Sequence, residues 1–149
     1  MNKDLASLFF VLFAFTGTAY SQHKFASFPT KVRNETPNFF ELSPDSKYVA
    51  AGVFGAVRVW ALDSEKFNDY PTKVRNETPE FVAFSPDGKY IAAGVFGAVR
   101  VWNLETGSFR DYETRVRNET PRFVNFSNDG SLVLAGVFGE IRAWRVIYD

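Results

Sequence analysis

The sequence predicts an all-β chain made of repeated four-stranded blades, the β-propeller architecture, and three observations carry that prediction. The stretch "AAGVFGAVRVW" occurs unchanged at Ala50–Trp60 and Ala92–Trp102, and a looser copy ends at Trp144. The duplication extends well beyond it: Pro29–Tyr70 aligns without gaps to Pro71–Tyr112, with differences at 12 of 42 positions. Between the Gly and Pro residues no stretch is long enough, and periodic enough at 3.6 residues, to make the paired helices that are the other common reading of such a period.

Each element of a blade can be read from the second copy. "EFVAF" is a short run rich in strand formers, and "SPDG" ends it with a Pro-Asp-Gly turn signal. "KYIAAGV" and "AVRVWNL" follow as two strands on either side of a Gly-containing turn, and "ETGS" leads into "FRDY". Four antiparallel strands per period of about 42 residues describe one propeller blade. The expected organisation is therefore residues 22–28 as an extra outermost strand, repeats at 29–70 and 71–112, and a third repeat at 113–149 that stops about five residues short of a full period.

Residues 1–21 read differently. After "MNKD" an apolar run from Leu5 to Ala19 precedes small residues at Ala19 and Ser21, the layout of a secretory signal cleaved after Ser21. The run is short of the roughly 20 residues of a membrane span; an uncleaved anchor is the competing reading. The "AYSQ" ending resembles bacterial export signals, so the expected location is secreted or periplasmic, with no membrane span after cleavage.

Composition narrows the function classes. Hydrophobic residues make up 46% of the 149 and aromatics 17%, enough to build a core. Seventeen basic residues balance seventeen acidic ones, so no net field favours nucleic acid or an anionic membrane. There is no cysteine, and His23 is the one histidine. No nucleophile elbow, phosphate loop or metal-spaced cluster is present, so the sequence points to no catalytic residue, no metal and no cofactor.

The motif pair "FSPDGKYIAAG" and "VRVWNLETG" resembles the WD-repeat propeller family over nearly all of the chain after the signal. Trp60, Trp102 and Trp144 stand where that family keeps its third-strand tryptophan. Two departures accompany the likeness. Arg33-Asn34, Arg75-Asn76 and Arg117-Asn118 replace the family's usual Gly-His, and Phe54, Phe96 and Phe138 replace an Asp in the turn between the second and third strands. The family's Asp-His-Ser-Trp hydrogen-bond network therefore cannot form.

The candidate binding residues lie in these departures. "VRNETP" recurs in all three copies and contributes Arg33, Asn34 and Glu35, then Arg75, Asn76 and Glu77, then Arg117, Asn118 and Glu119. It reads either as a polar ring that recognises a ligand or as a loop whose Asn and Thr satisfy its own backbone. Phe54, Phe96 and Phe138, each set in "GVFG", read either as exposed tips or as lids over a neighbouring blade. Arg58, Arg100 and Arg142 share a strand face with their tryptophans, which predicts cation-π packing rather than a site.

Closed propellers usually have four to eight blades. Three blades without polar caps leave end faces that expect a partner, and two chains give six blades. Lys24–Phe28 aligns with Lys66–Tyr70, so the leading strand is expected to complete the last blade of a second copy, across an interface on the order of 2,000 Å² or more. The expected function is an exported, non-catalytic scaffold that binds a protein or glycan as a homodimer. The alternatives are a propeller enzyme acting on glycans through Glu35, Glu77 and Glu119, or a fragment of a longer WD-repeat protein.

Overall fold

The structure, a computed structural model, describes residues 26–30, 36–116 and 118–148. Within them eleven strands form three antiparallel sheets. The first blade contains β1 (Phe40–Leu42), β2 (Tyr48–Val53), β3 (Ala56–Ala61) and β4 (Phe67–Pro71), and the second contains β5 (Val82–Phe84), β6 (Tyr90–Val95), β7 (Ala98–Asn103) and β8 (Phe109–Glu113). The third has β9 (Arg122–Phe126), β10 (Leu132–Val137) and β11 (Glu140–Arg145). The all-β blade architecture is as the repeats predict. The expected signal at residues 1–21, and residues 22–25 of the expected leading strand, lie outside the described residues. Residues 26–30 are in no strand.

Turn chemistry sets the register. In "SPDS", "SPDG" and "SNDG" the hydroxyls of Ser43, Ser85 and Ser127 each donate to the aspartate two residues on, at 2.6 Å. The same hydroxyls accept the amides of Tyr48, Tyr90 and Leu132 at 2.9 Å. Side chain and backbone thus close the first hairpin of every blade in the manner expected of Ser and Asp in turns. Hydrogen bonds from the Ser127 hydroxyl and from the Ser131 amide and hydroxyl hold the Asp129 carboxyl down at about 2.

Blades stack through alternate faces. Ala50, Val57, Val59 and Tyr70 of the first blade pack on Val82, Phe84, Ile91, Ala93, Val95, Ala98 and Trp102 of the second. The other face of the second blade, with Ala83, Ala92, Val99 and Val101, meets Val124, Phe126, Val133 and Ala135 of the third. The middle blade is therefore covered on both sides, and β7 is buried from Ala98 to Trp102. In the third blade a similar sequence alternates, with Val133, Ala135 and Val137 buried and Ile141 79% exposed. One face of that blade has no neighbour among the described residues.

The first glycine of "GVFG" governs how close the blades come. A Cβ at Gly52 would lie 1.8 Å from the carbonyl oxygen of Pro79, and one at Gly94 would lie 1.8 Å from that of Pro121. Both contacts are with the next blade's backbone, which cannot swing aside. Gly94→Ala is expected to lower unfolding free energy by at least about 2 kcal/mol, by overpacking a contact made of main chain. Urea melts of the two proteins would show it, and an unchanged midpoint would contradict the close approach.

Candidate functional site

The turns carrying Phe54, Phe96 and Phe138 are two residues long, and the glycine after each Phe has φ of +79°, +77° or +82°. Left-handed backbone at that position favours glycine. The Phe side chains project outward, 53%, 42% and 85% exposed. Each of the first two turns is bound to the following repeat: the Gly55 amide donates to the carbonyl of Glu77, and the Gly97 amide to that of Glu119, both at 2.7 Å. Aromatic tips and "VRNETP" loops consequently share one face of the stack.

Within that loop the residues divide. Arg75, Asn76 and Asn118 are exposed. Glu77 turns inward, where its carboxylate accepts the Phe96 amide and, at 3.1 Å, the Thr120 hydroxyl of the next blade. Its other oxygen, Oε2, is buried without a hydrogen-bond partner, and desolvation by burial raises its pKa. Glu119 repeats the arrangement, with Oε1 accepting the Phe138 amide and Oε2 buried and unpartnered. These two glutamates pin the aromatic turns in place. They also line a cavity of about 820 Å³ together with Arg122, Phe123, Phe138 and Ile141. Arg33, Asn34, Glu35 and Arg117 lie outside the described residues.

Two features escaped the sequence reading. Phe39, Phe81 and Phe123 form a ladder with ring centroids 5.2 and 4.5 Å apart, one ring per blade. Their 42-residue spacing was the available signal. The other feature is a pair of forked ion pairs. Arg58 meets Asp69 at 2.5 and 2.7 Å, and Arg100 meets Asp111 at 2.6 and 2.8 Å, across directly opposed positions of the third and fourth strands. The guanidinium centres lie 5.9 Å from the Trp60 and Trp102 rings but only 4.2 and 3.7 Å from Phe67 and Phe109. Cation-π packing is therefore present, with the nearer ring on the fourth strand. In the third blade Arg142 pairs instead with Glu140 of its own strand, two residues away on the same face.

No family model matches the chain, and no curated protein matches it in sequence. Solved structures do. The chain is similar to "Crystal structure of RRP9 WD40 repeats", with a TM-score of 0.64 and 15% identity over 78% of this chain and 37% of that one. It is equally similar to "Structure of U3-55K", with a TM-score of 0.64 and 15% identity over 78% of this chain and 38% of that one. Its sheets are built like WD40 propeller blades. At this identity the likeness is one of fold, and the chain spans well under half of either structure.

The two ion pairs differ in exposure, since Arg58 and Arg100 are both buried while Asp69 is 41% exposed and Asp111 only 20%. Removing a carboxylate from a buried guanidinium costs about 3 kcal/mol or more. Asp111→Asn should approach that figure, and Asp69→Asn should fall clearly below it because water reaches the pair. Denaturant melts of the two variants would rank them.

Glu77 also makes a pH prediction. A carboxyl whose folded pKa is raised binds its proton more tightly in the native state, so stability is highest below the usual carboxylate range and falls as pH rises through it to the raised value. Burial raises Glu41 in the same direction. Glu77→Gln keeps an acceptor for the Phe96 amide and the Thr120 hydroxyl, and should flatten part of this loss. Melting temperatures of both proteins measured from below to above the ordinary carboxylate range would reveal the change in slope.

Proposed function

We propose that this chain is an exported, non-catalytic propeller scaffold, that it recognises a protein or glycan through the face bearing Phe54, Phe96 and Phe138, and that a second copy supplies the rest of its ring. One observation carries the reading: the same large aromatic is held at the tip of a tight turn in each blade, with 42% or more of it open to solvent. Exposed aromatics held rigidly lose little entropy on contact and stack well on apolar ligand surfaces. Arg75, Asn76 and Asn118 beside them offer a planar fork and amide groups to polar ligand atoms.

The roles of Glu77 and Glu119 favour binding over turnover. Each carboxylate is already engaged by a turn amide of its own repeat, and Glu77 by a threonine as well. A hydrolytic pair has one carboxyl free to protonate a leaving group and another facing water or the sugar. Export and dimerisation rest on the sequence pattern at residues 1–21 and on the end faces of the stack.

The test is a glycan array, followed by binding measurements on any hit. Phe54→Ser combined with Phe96→Ser should weaken capture at least about tenfold, since each lost aromatic anchor costs roughly 1 kcal/mol or more. The melting temperature should stay close to the parent's, because the rings are exposed. The triple variant with Glu35, Glu77 and Glu119 changed to Gln should still bind. Turnover of a glycan by the parent chain, abolished in that triple variant, would replace the scaffold reading with an enzyme.

A further inference from the structure

The exposed face of the third blade carries half of a joint that the chain has already made twice. Gly52 is met by the Pro79 carbonyl and Gly94 by that of Pro121, and both prolines are buried. Gly136 is the third such glycine, and its closest neighbours are Arg122 and Phe123 of its own blade, with the Arg122 carbonyl 3.3 Å from a built Cβ. At the other end of the stack Pro37 is the third such proline, half-buried and ahead of the first blade. The phenyl ladder has the same polarity: Phe123 is 68% exposed at one end and Phe39 38% at the other. Phe40 and Leu42 are 65% and 50% exposed, whereas Val82 and Phe84, their counterparts one blade on, are 1% and 5%. Each end therefore displays what the other end's neighbour would bury.

Residues 26–30 add an independent observation. Arg100 reaches back from the second blade to the carbonyl of Pro71, at the end of the first blade's fourth strand, and Arg142 reaches likewise to Thr114. Arg58 makes the same reach, at 2.6 Å, to the carbonyl of Thr30. Tyr70 packs in one cluster with Trp102, and Phe28, 42 residues earlier, lies 6.2 Å from the Trp60 ring. Relative to the first blade, residues 26–30 thus stand where a preceding blade keeps its fourth strand. Among the described residues β11 is meanwhile an edge strand, whereas β3 and β7 each have a fourth strand beside them. The charges agree as well. Ser27 occupies the position of Asp69 and Asp111, and the third blade supplies the missing carboxylate for Arg142 from Glu140, where the other repeats have Ala56 and Ala98.

We infer that residues 26–30 of one copy pair along β11 of a second copy as its fourth strand, while Pro37 seats on the partner's Gly136. The partner does the same in return, and the two head-to-tail joints close a ring of six blades. This rests on the scaffold reading's second copy and specifies which residues join the two chains. In the register of β3 with β4, Val59 opposes Asn68; the corresponding pair across the joint is Ala143 with Ala26 of the partner. Directly opposed strand residues have Cα atoms about 4.5–5.5 Å apart, within reach of a disulfide.

The chain has no cysteine, so Ala26→Cys with Ala143→Cys gives a clean readout on the full chain. Mild oxidation should yield a covalent dimer on a non-reducing gel from the double variant and from neither single variant. Light scattering of the parent at micromolar concentration should give twice the subunit mass. Gly136→Ala should weaken association at least about 100-fold, because its Cβ would meet a partner carbonyl. A parent that stays at one subunit mass, or grows into a series of higher masses, overturns the ring and the joint together. A dimer that neither cross-links nor responds to Gly136→Ala overturns the joint alone and leaves six blades standing.

Discussion

Main chain against main chain is the contact on which the rest of the structure depends. At each repeat junction a glycine without a side chain lets the next blade's proline carbonyl approach, and three residues later a second glycine donates its amide to the carbonyl of the following glutamate. These contacts fix the spacing between blades before any hydrophobic side chain is considered. Only at that spacing do Val82, Ile91 and Trp102 fill the space beneath Val57, Val59 and Tyr70. They also account for "GVFG" in the first two repeats: the first glycine is needed for clearance, the second for its positive φ. The phenylalanine between them is the one bulky side chain in the turn, and it faces outward.

Polar support for the blades has been redistributed relative to the WD-repeat pattern. The indole nitrogens of Trp60 and Trp102 are buried with no hydrogen-bond partner among the described residues, as expected once the Asp-His-Ser network is absent. The tryptophans then act as apolar fillers, and the polar link between strands passes to the Arg-Asp forks. A planar guanidinium suits this role because one face lies on Phe67 or Phe109 while its edge binds the carboxylate and a carbonyl of the preceding segment. A single side chain thereby ties together the third strand, the fourth strand and the blade before.

The blade architecture was legible because a near-identical duplication makes each element visible twice, and turn residues punctuate it. The glycine after each Phe, the Ser-Asp turns and the strand faces could be placed from local chemistry alone. The forks could not. Arg58 and Asp69 are eleven residues apart, and only a specific register between two strands brings them opposite each other. Sequence reasoning saw Trp60, the neighbour two residues along the same strand, and stopped there. Glu140 was the overlooked clue: a charge replaces alanine in the one repeat whose third strand, β11, has no fourth strand beside it among the described residues. The inward turn of Glu77 was hidden for a related reason, since its partners, the Phe96 amide and Thr120, lie 19 and 43 residues away, the second of them in the next blade.

Repetition also bears on how such a face works. An exposed Phe flanked by amides and a guanidinium is a weak site taken singly, with few atoms to desolvate and no deep pocket. Held at a fixed interval on blades that cannot slide, because their spacing is set by backbone contacts, the same weak site is presented again at the next blade. On the proposed scaffold reading, a ligand that itself repeats, such as a polysaccharide or a multimeric protein surface, would meet the second site at high effective concentration once the first is engaged. Avidity then depends on the rigidity of the stack more than on the chemistry of any one loop.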